Sequence, residues 1–286
     1  MRRAPGHGVV SLPALDLRAS PSHASEMKSQ LLLGEVVRVL KRSPDRQWLR
    51  VKNVSDGYAG WVRGWGVVES SRSRAHSWLK LARSRVVATS VELRTQPGGG
   101  GVVSPLYWGA TVIRGLARGR FVRVELPDGR RGWGPRGGFE SVADPGPPLG
   151  DRIQSLMGVP YLWGGRTPFG LDCSGFTQLV LGEQGVVLPR DCVEQFEAAR
   201  SLPEGEQPQT GDLVFFGHPG KPPAHVGISL GGAYFAHVRG RVRLASLDKD
   251  NPLYDNEIGR QFRSFGRPGT GPGRGRPRGL QGRKSA

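Results

Sequence analysis

Cysteine, methionine and lysine are all scarce in this chain. Its 286 residues contain two cysteines and three methionines, and only 7 lysines stand beside 34 arginines. Two cysteines cannot form a disulfide framework, which excludes a small stapled scaffold and fits a reducing compartment. No apolar run approaches the ~18 residues of a membrane-crossing helix. The opening MRRAPGHGVVSLPALDLRA has the charge of a signal peptide, but prolines break it and no continuous apolar stretch follows. A cytoplasmic location is therefore expected, with a secreted or wall location the alternative if the true start lies upstream. CxxC and HxxxH spacings are missing too, so neither a metal nor a cofactor is expected.

The formal net charge is +17. Arginine is spread over the whole length, with no aromatic-interleaved patch and no nucleic-acid module. Such a charge gives solubility and loose attraction to polyanions, not specific nucleic-acid binding.

What the chain does hold is one dense stretch, Pro160 to Val180 (PYLWGGRTPFGLDCSGFTQLV). Its Gly, Pro and Trp residues read as a tight loop. Phe176, Leu179 and Val180 then fall at i, i+3 and i+4, an amphipathic helical spacing. Cys173 is thus expected on the first helical turn with Asp172 near the N-cap, where unpaired amides and the helix dipole favour a thiolate. A cysteine nucleophile needs a base, and the base needs an orienting group. His225 in AHVGI and His237 in FAHV supply both. Cys192 reads as a packed or idle thiol, and His218 as a solvent-facing histidine.

The histidines permit a geometric expectation. Gly231-Gly232 reads as the turn of a hairpin with strands 225–230 and 234–238. A strict two-residue loop would place His225 and His237 on opposite faces, whereas a three-residue loop or one bulge places them on the same face. A loop spanning 231–233 is the expected solution.

Upstream, a β pattern occurs twice. Val36, Val37 and Val39, then Trp48 to Val51, Asp56-Gly57 and Gly60-Trp61 are echoed by Val112 and Ile113, Phe121 to Val124, Asp128-Gly129 and Gly132-Trp133. Five or six short strands in each copy suggest half-open barrels. The alternative is two hairpin regions of one larger sheet. Boundaries are expected at 1–70 and 86–143 for the copies, with a polar connector at 71–85. A proline-stiffened linker at 144–150, a third domain at 151–266 and a disordered basic tail at 267–286 complete the layout.

YLWGG, LDCSGF, LPRD, GDLVFF, HVGI and a second histidine, in that order, resemble the NlpC-type cell-wall cysteine peptidases. The resemblance covers roughly residues 150–268. It implies an α+β fold: a papain-like catalytic domain preceded by two small all-β barrels similar to bacterial SH3-like modules. It also implies a Cys173-His225-His237 triad, with Tyr161, Asp172 and Ser174 around the oxyanion and substrate. Among relatives with two such modules are dipeptidyl-peptidases that release L-Ala-γ-D-Glu from stem peptides with a free N-terminus. That likeness points to Glu26, Tyr58 and Asp191 as the substrate-amine ligands, and to Arg166 and Arg190 as partners for the γ-D-Glu carboxylate. Peptidoglycan stem peptides are the expected partner, with weak contact to anionic wall polymers through the tail. An endopeptidase acting on intact wall and a non-catalytic wall-binding protein are the competing readings. Oligomeric state is not readable.

Overall fold

The computed structural model describes residues 6–144 and 146–269, in two compact units that divide at residues 144–145. The fold is α+β, with strands alone forming the sheets of the first unit and helices concentrated in the second.

In the first unit, β1 (His7–Val10), β2 (Ala14–Arg18), β3 (Met27–Leu32), β4 (Val36–Arg42), β5 (Trp48–Asn53), β6 (Ala59–Arg63) and β7 (Val67–Ser70) form one sheet. Its order is β3-β2-β6-β5-β4-β1-β7. After helix α1 (Arg72–Leu81) come β8 (Ser84–Val86), β9 (Ser90–Gln96), β10 (Gly99–Tyr107), β11 (Thr111–Arg118), β12 (Phe121–Glu125), β13 (Arg131–Pro135) and β14 (Phe139–Ser141). Their order, β10-β9-β13-β12-β11-β8-β14, is the first order shifted by seven. Each copy therefore has seven strands, where the spacing suggested five or six.

Period-two burial makes these strands. In β5, Leu49, Val51 and Asn53 are buried while Arg50 and Lys52 are exposed, and in β12 Val122 and Val124 flank an exposed Arg123. Equivalent turns carry left-handed glycines, Gly34 and Gly109 at φ 90° and 91°, Gly57 and Gly129 at 78° and 85°. The Val9-Val10 segment reads from sequence as an edge strand. In the structure β1 lies between β4 and β7, paired on both sides. Four residues are too few to show a periodicity that would have placed it.

The polar stretch expected as a connector folds as α1, capped by Ser71, whose hydroxyl accepts from the Arg74 amide. Trp78 and Ala75 bury against Val9 and Val36, with Ile113 of the second copy packed alongside. Trp78 Nε1 also donates to the Gly34 carbonyl at 3.0 Å. The Leu33-Gly34 turn in turn docks on the second copy. Leu33 is fully buried among Val86, Val112 and Val124, and its carbonyl accepts from the Thr111 amide at 3.0 Å. The second copy starts at Ser84, inside the expected connector, because β8 is needed between β11 and β14.

The second unit contains α2 (Leu149–Ser155), the ribbon β15 (Arg166–Thr167) and β16 (Gly170–Leu171), α3 (Cys173–Glu183) and α4 (Cys192–Ala198). Then follow β17 (Arg200–Ser201), β18 (Leu213–Phe216), β19 (His225–Gly231), β20 (Tyr234–Arg239), β21 (Arg241–Ser246), α5 (Asn256–Gly259) and β22 (Phe262–Arg267). The antiparallel sheet runs β17-β22-β18-β19-β20-β21, and α3 packs on β19 and β20. Every side chain of β18 is buried, as a central strand requires.

Helix α3 is enclosed on all sides, not amphipathic. Residues 173–181 are all buried, and the polar ones are bonded internally. Thr177 Oγ1 lies 2.7 Å from Gln195 Oε1, and Gln178 Nε2 donates to the Leu188 carbonyl at 2.9 Å. At the C-terminal side, Arg267 belongs to β22, pairing with Arg200 and bonding Asp212 at 2.9 Å. From residue 270 the expected basic tail lies outside the described residues. Among the described residues, no helix is long and apolar enough to cross a membrane.

A Cβ at Gly34 would lie 2.2 Å from the Thr111 carbonyl oxygen, besides straining a positive φ; Gly57 has comparable φ but faces only the end of Lys52. Gly34→Ala is expected to cost about 2–3 kcal/mol and Gly57→Ala about 1 kcal/mol. Urea midpoints of the two variants check this, and equal costs would remove the docking contribution.

Candidate active site

The helix carrying Cys173 starts where the loop from Pro160 folds back on itself. Asp172 is the N-cap, its Oδ1 accepting from the Gly175 amide at 2.6 Å. Its Oδ2 accepts from the Gly164 amide at 2.9 Å, which closes the loop over the helix end. Gly175 permits this closure, since a Cβ there would sit 2.2 Å from the Gly165 carbonyl oxygen. Arg190 completes the arrangement as a two-pronged partner, donating to Oδ1 at 3.0 Å and to Oδ2 at 2.6 Å. It also donates to Ser174 Oγ at 2.8 Å. Both Asp172 and Arg190 are buried.

This geometry revises three expected roles. Asp172 has both carboxylate oxygens committed, so it shapes the helix start and has none left to position substrate. Ser174 turns its hydroxyl into the same ion pair. Arg190 is 1 % exposed and faces Asp172, not a substrate carboxylate. Arg166 begins the β15–β16 ribbon and is half-buried.

The two histidines share a face of the sheet, by a different route from the expected one. His237 pairs with Gly227, two residues after His225, so faces match. The turn itself is only Gly232-Ala233. Parity is restored by a register shift between Ser229 and Gly231, where the Ser229 hydroxyl accepts from the Gly231 amide at 3.1 Å. A bulge absorbs the extra residue because Gly231 takes φ 94° without a Cβ penalty. His225 Nε2 and His237 Nδ1 are 2.9 Å apart, with the ring planes at 81°.

Cys173 lies against the start of β19, where the amide of Val226, the residue after His225, hydrogen-bonds its sulfur. Burial, then the Asp172 charge, push the thiol up to about 11; the amides of Val226 and Ser174 and the charge of Arg190 oppose them. Burial, followed by Arg239 and Arg243, pulls His225 down to about 4. His237 falls to about 3, from burial, then His225 and Arg243. At neutral pH the resting pair is thus a thiol and a neutral imidazole, where helix-dipole reasoning alone favours a thiolate. Tyr161 is raised to about 12 by burial, then by the charges of Cys173 and Asp172. It therefore stays a protonated donor beside the sulfur.

Glu26 precedes β3 and is exposed, and Tyr58 packs on the first core with Lys28 Nζ 4.6 Å from its ring centroid. Asp191 is the N-cap residue of α4 without a side-chain cap bond. Cys192 begins the same helix, half-buried, and burial followed by Cys173 raises its thiol. The residues that sequence reasoning missed are Arg243 and Asp255. Arg243 Nε lies 3.2 Å from His237 Nε2, and Asp255 takes both Arg243 and Arg239. Only the pairing of Arg243 opposite His237 across β20 and β21 reveals the contact.

Residues 158–256 match the NlpC/P60 family, and residues 17–64 match the bacterial dipeptidyl-peptidase SH3 domain. A γ-D-glutamyl-L-lysine dipeptidyl-peptidase of Bacillus subtilis is 40% identical over 92 residues, 30% of this chain and 31% of that protein. A probable endopeptidase p60 of Listeria seeligeri is 44% identical over 80 residues, covering 28% of this chain and 15% of that one. Both alignments thus span less than a third of the relative's own length. The crystal structure of an NlpC/P60 family protein from Bacillus cereus shares the fold, with TM-score 0.75 at 20% identity over 91% of this chain and 98% of that one.

Arg190→Met strands a buried carboxylate and is expected to cost about 3–5 kcal/mol. Adding Asp172→Asn should recover part of that loss, giving a non-additive cycle in urea. The histidines make a second prediction. Above about pH 6.5 they are neutral folded or unfolded; as pH falls towards about 3 the unfolded chain takes up protons first, so stability declines through that window. His237→Gln should flatten the decline, measured as the urea midpoint against pH. With the cysteine and the paired imidazoles in place, the two matches identify an NlpC/P60 domain, of the cysteine-peptidase type, at residues 158–256 and a bacterial dipeptidyl-peptidase SH3 domain at residues 17–64.

Proposed function

We propose that this protein is a cysteine peptidase that hydrolyses peptidoglycan stem peptides. Its preferred cut lies between γ-D-Glu and the following diamino acid, on cytoplasmic fragments with a free N-terminal L-Ala. The observation that carries the reading is the 2.9 Å contact between His225 and His237, together with the amide that Val226, next to His225, gives the Cys173 sulfur.

In the reaction, His225 takes the thiol proton as Cys173 Sγ bonds to the scissile carbonyl carbon. Amides at the start of α3 and the Tyr161 hydroxyl receive the developing oxyanion. The imidazolium returns its proton to the leaving amine, the C–N bond breaks, and an acyl-enzyme remains. Water, deprotonated by His225, then releases the acid and restores the thiol. His237 holds the ring of His225 throughout.

The likeness to a γ-D-glutamyl-L-lysine dipeptidyl-peptidase and the matching SH3 domain support the dipeptide-releasing specificity. The ammonium-binding role of Glu26, Tyr58 and Asp191 belongs to this proposal and is tested residue by residue. The p60 likeness favours a second reading, an endopeptidase acting on intact wall.

Synthetic stem peptides with free and acetylated N-termini distinguish the two. The free peptide is expected to be cut at least ~10²-fold faster, since acetylation removes the ammonium that the carboxylates and the phenol are proposed to hold. Cys173→Ala and His225→Ala should abolish cleavage while circular dichroism stays unchanged. Glu26→Gln, Tyr58→Phe and Asp191→Asn should each narrow the preference for the free amine. Equal rates on the two peptides would transfer the assignment to the endopeptidase reading.

A further inference from the structure

Behind His237, on the side away from His225, stands a guanidinium held at both ends. Arg243 Nε is 3.2 Å from His237 Nε2, while its terminal nitrogen bonds the Asp255 carboxylate. Asp255 also accepts from Arg239 at 2.9 Å and caps α5 through the amides of Glu257 and Ile258.

Arginine donates and never accepts, and it stays protonated in proteins. The Arg243 Nε–H must therefore point at a lone pair on His237 Nε2. A neutral His237 then carries its one proton on Nδ1. That nitrogen faces His225 Nε2 at 2.9 Å, so His225 Nε2 is the acceptor. Neutral His225 is left with its proton on Nδ1, the nitrogen not used by His237. All donations run one way, from Arg243 through both rings. In this arrangement His225 offers no lone pair with which to take the thiol proton. An imidazolium at His225 would also set its Nε2–H against the Nδ1–H of His237.

We propose that Arg243, anchored by Asp255, is a positioning residue that latches the histidine pair in a resting tautomer, and that release of its bond to His237 arms His225 as the base. The inference rests on the catalytic reading above. On release, His225 yields its Nδ1 proton to water and takes the His237 Nδ1 proton on Nε2. Water then protonates His237 Nε2, so no proton is gained or lost overall. Arg243 keeps its hold on Asp255 meanwhile. The charged and titratable groups facing His237 are Arg243, Arg239, Asp255 and His225; those facing His225 are His237, Arg239, Arg243 and Asp172. The arginines lower both rings and the carboxylates oppose them, which agrees with a latched neutral pair.

The test uses the full chain, ¹⁵N-labelled at histidine. In the wild type, His237 should show a protonated Nδ1 and a bare Nε2, with a bare Nε2 on His225. Arg243→Met should move the His237 proton to Nε2. In a Cys192→Ser background the same variant should raise the rate of iodoacetamide alkylation of Cys173 at pH 7 by about tenfold, one pKa unit of thiolate. Asp255→Asn should move both readouts the same way by less. A wild-type His237 protonated at Nε2 overturns the latch, and so does a folded Arg243→Met variant with an unchanged or lower alkylation rate. If that variant does not fold, the wild-type spectrum decides alone. Neither readout uses a peptide, so failure to cut stem peptides would remove the proposed function and leave the latch standing.

Discussion

Asp172 collects donors from three stretches of chain: the loop amide of Gly164, the helix amide of Gly175, and the guanidinium of Arg190. Burying a carboxylate and a guanidinium together costs several kcal/mol per ion unless hydrogen bonds fill their remaining valences. Here they are filled, so the nucleophile's position is fixed by electrostatics as much as by packing. The pairing also resolves a conflict. An unpaired carboxylate beside Cys173 would oppose a thiolate, and the neighbouring Arg190 charge pulls the other way. The loop, the helix start and the segment before α4 are thereby tied to one another.

The other half of the site depends on strand parity. A hairpin presents two residues on one face only if the count between them is right, and a bulge next to a left-handed glycine adjusts that count here. The histidines are consequently placed on one face by the backbone pairing alone. Their mutual hydrogen bond selects the ring orientations within that frame. Burial keeps both rings neutral at ordinary pH, the state from which His225 accepts a proton during turnover.

Much of this was legible in the residues. Cys173 after Asp172, the two histidines, the buried strand at 213–216 and the duplicated β pattern all follow from short-range rules: cap chemistry, period-two burial and turn glycines. What escaped has a common cause. Whether an extra residue sits in a loop or a bulge is decided by cross-strand hydrogen bonds, and either solves the same parity. The i, i+3, i+4 spacing in α3 suggested one apolar face, yet the helix is enclosed because Thr177 and Gln178 find internal partners. From sequence Arg190 reads as a substrate ligand and Arg243 carries no local signal, since the direction of a long cation is set by carboxylates far away in sequence. The polar α1 segment looked like a spacer because a single tryptophan carries most of its packing.

The lodging of Leu33 has an evolutionary corollary. A side chain from the turn of the first barrel occupies the interior of the second, although the two sheets have identical strand orders. Neither repeat is then a self-sufficient cassette. Excising the first would leave a void in its neighbour, and excising the second would expose a leucine and part of a tryptophan face to water. Recombination should therefore transmit the two barrels jointly, and their divergence should be correlated at the Leu33–Thr111 seam.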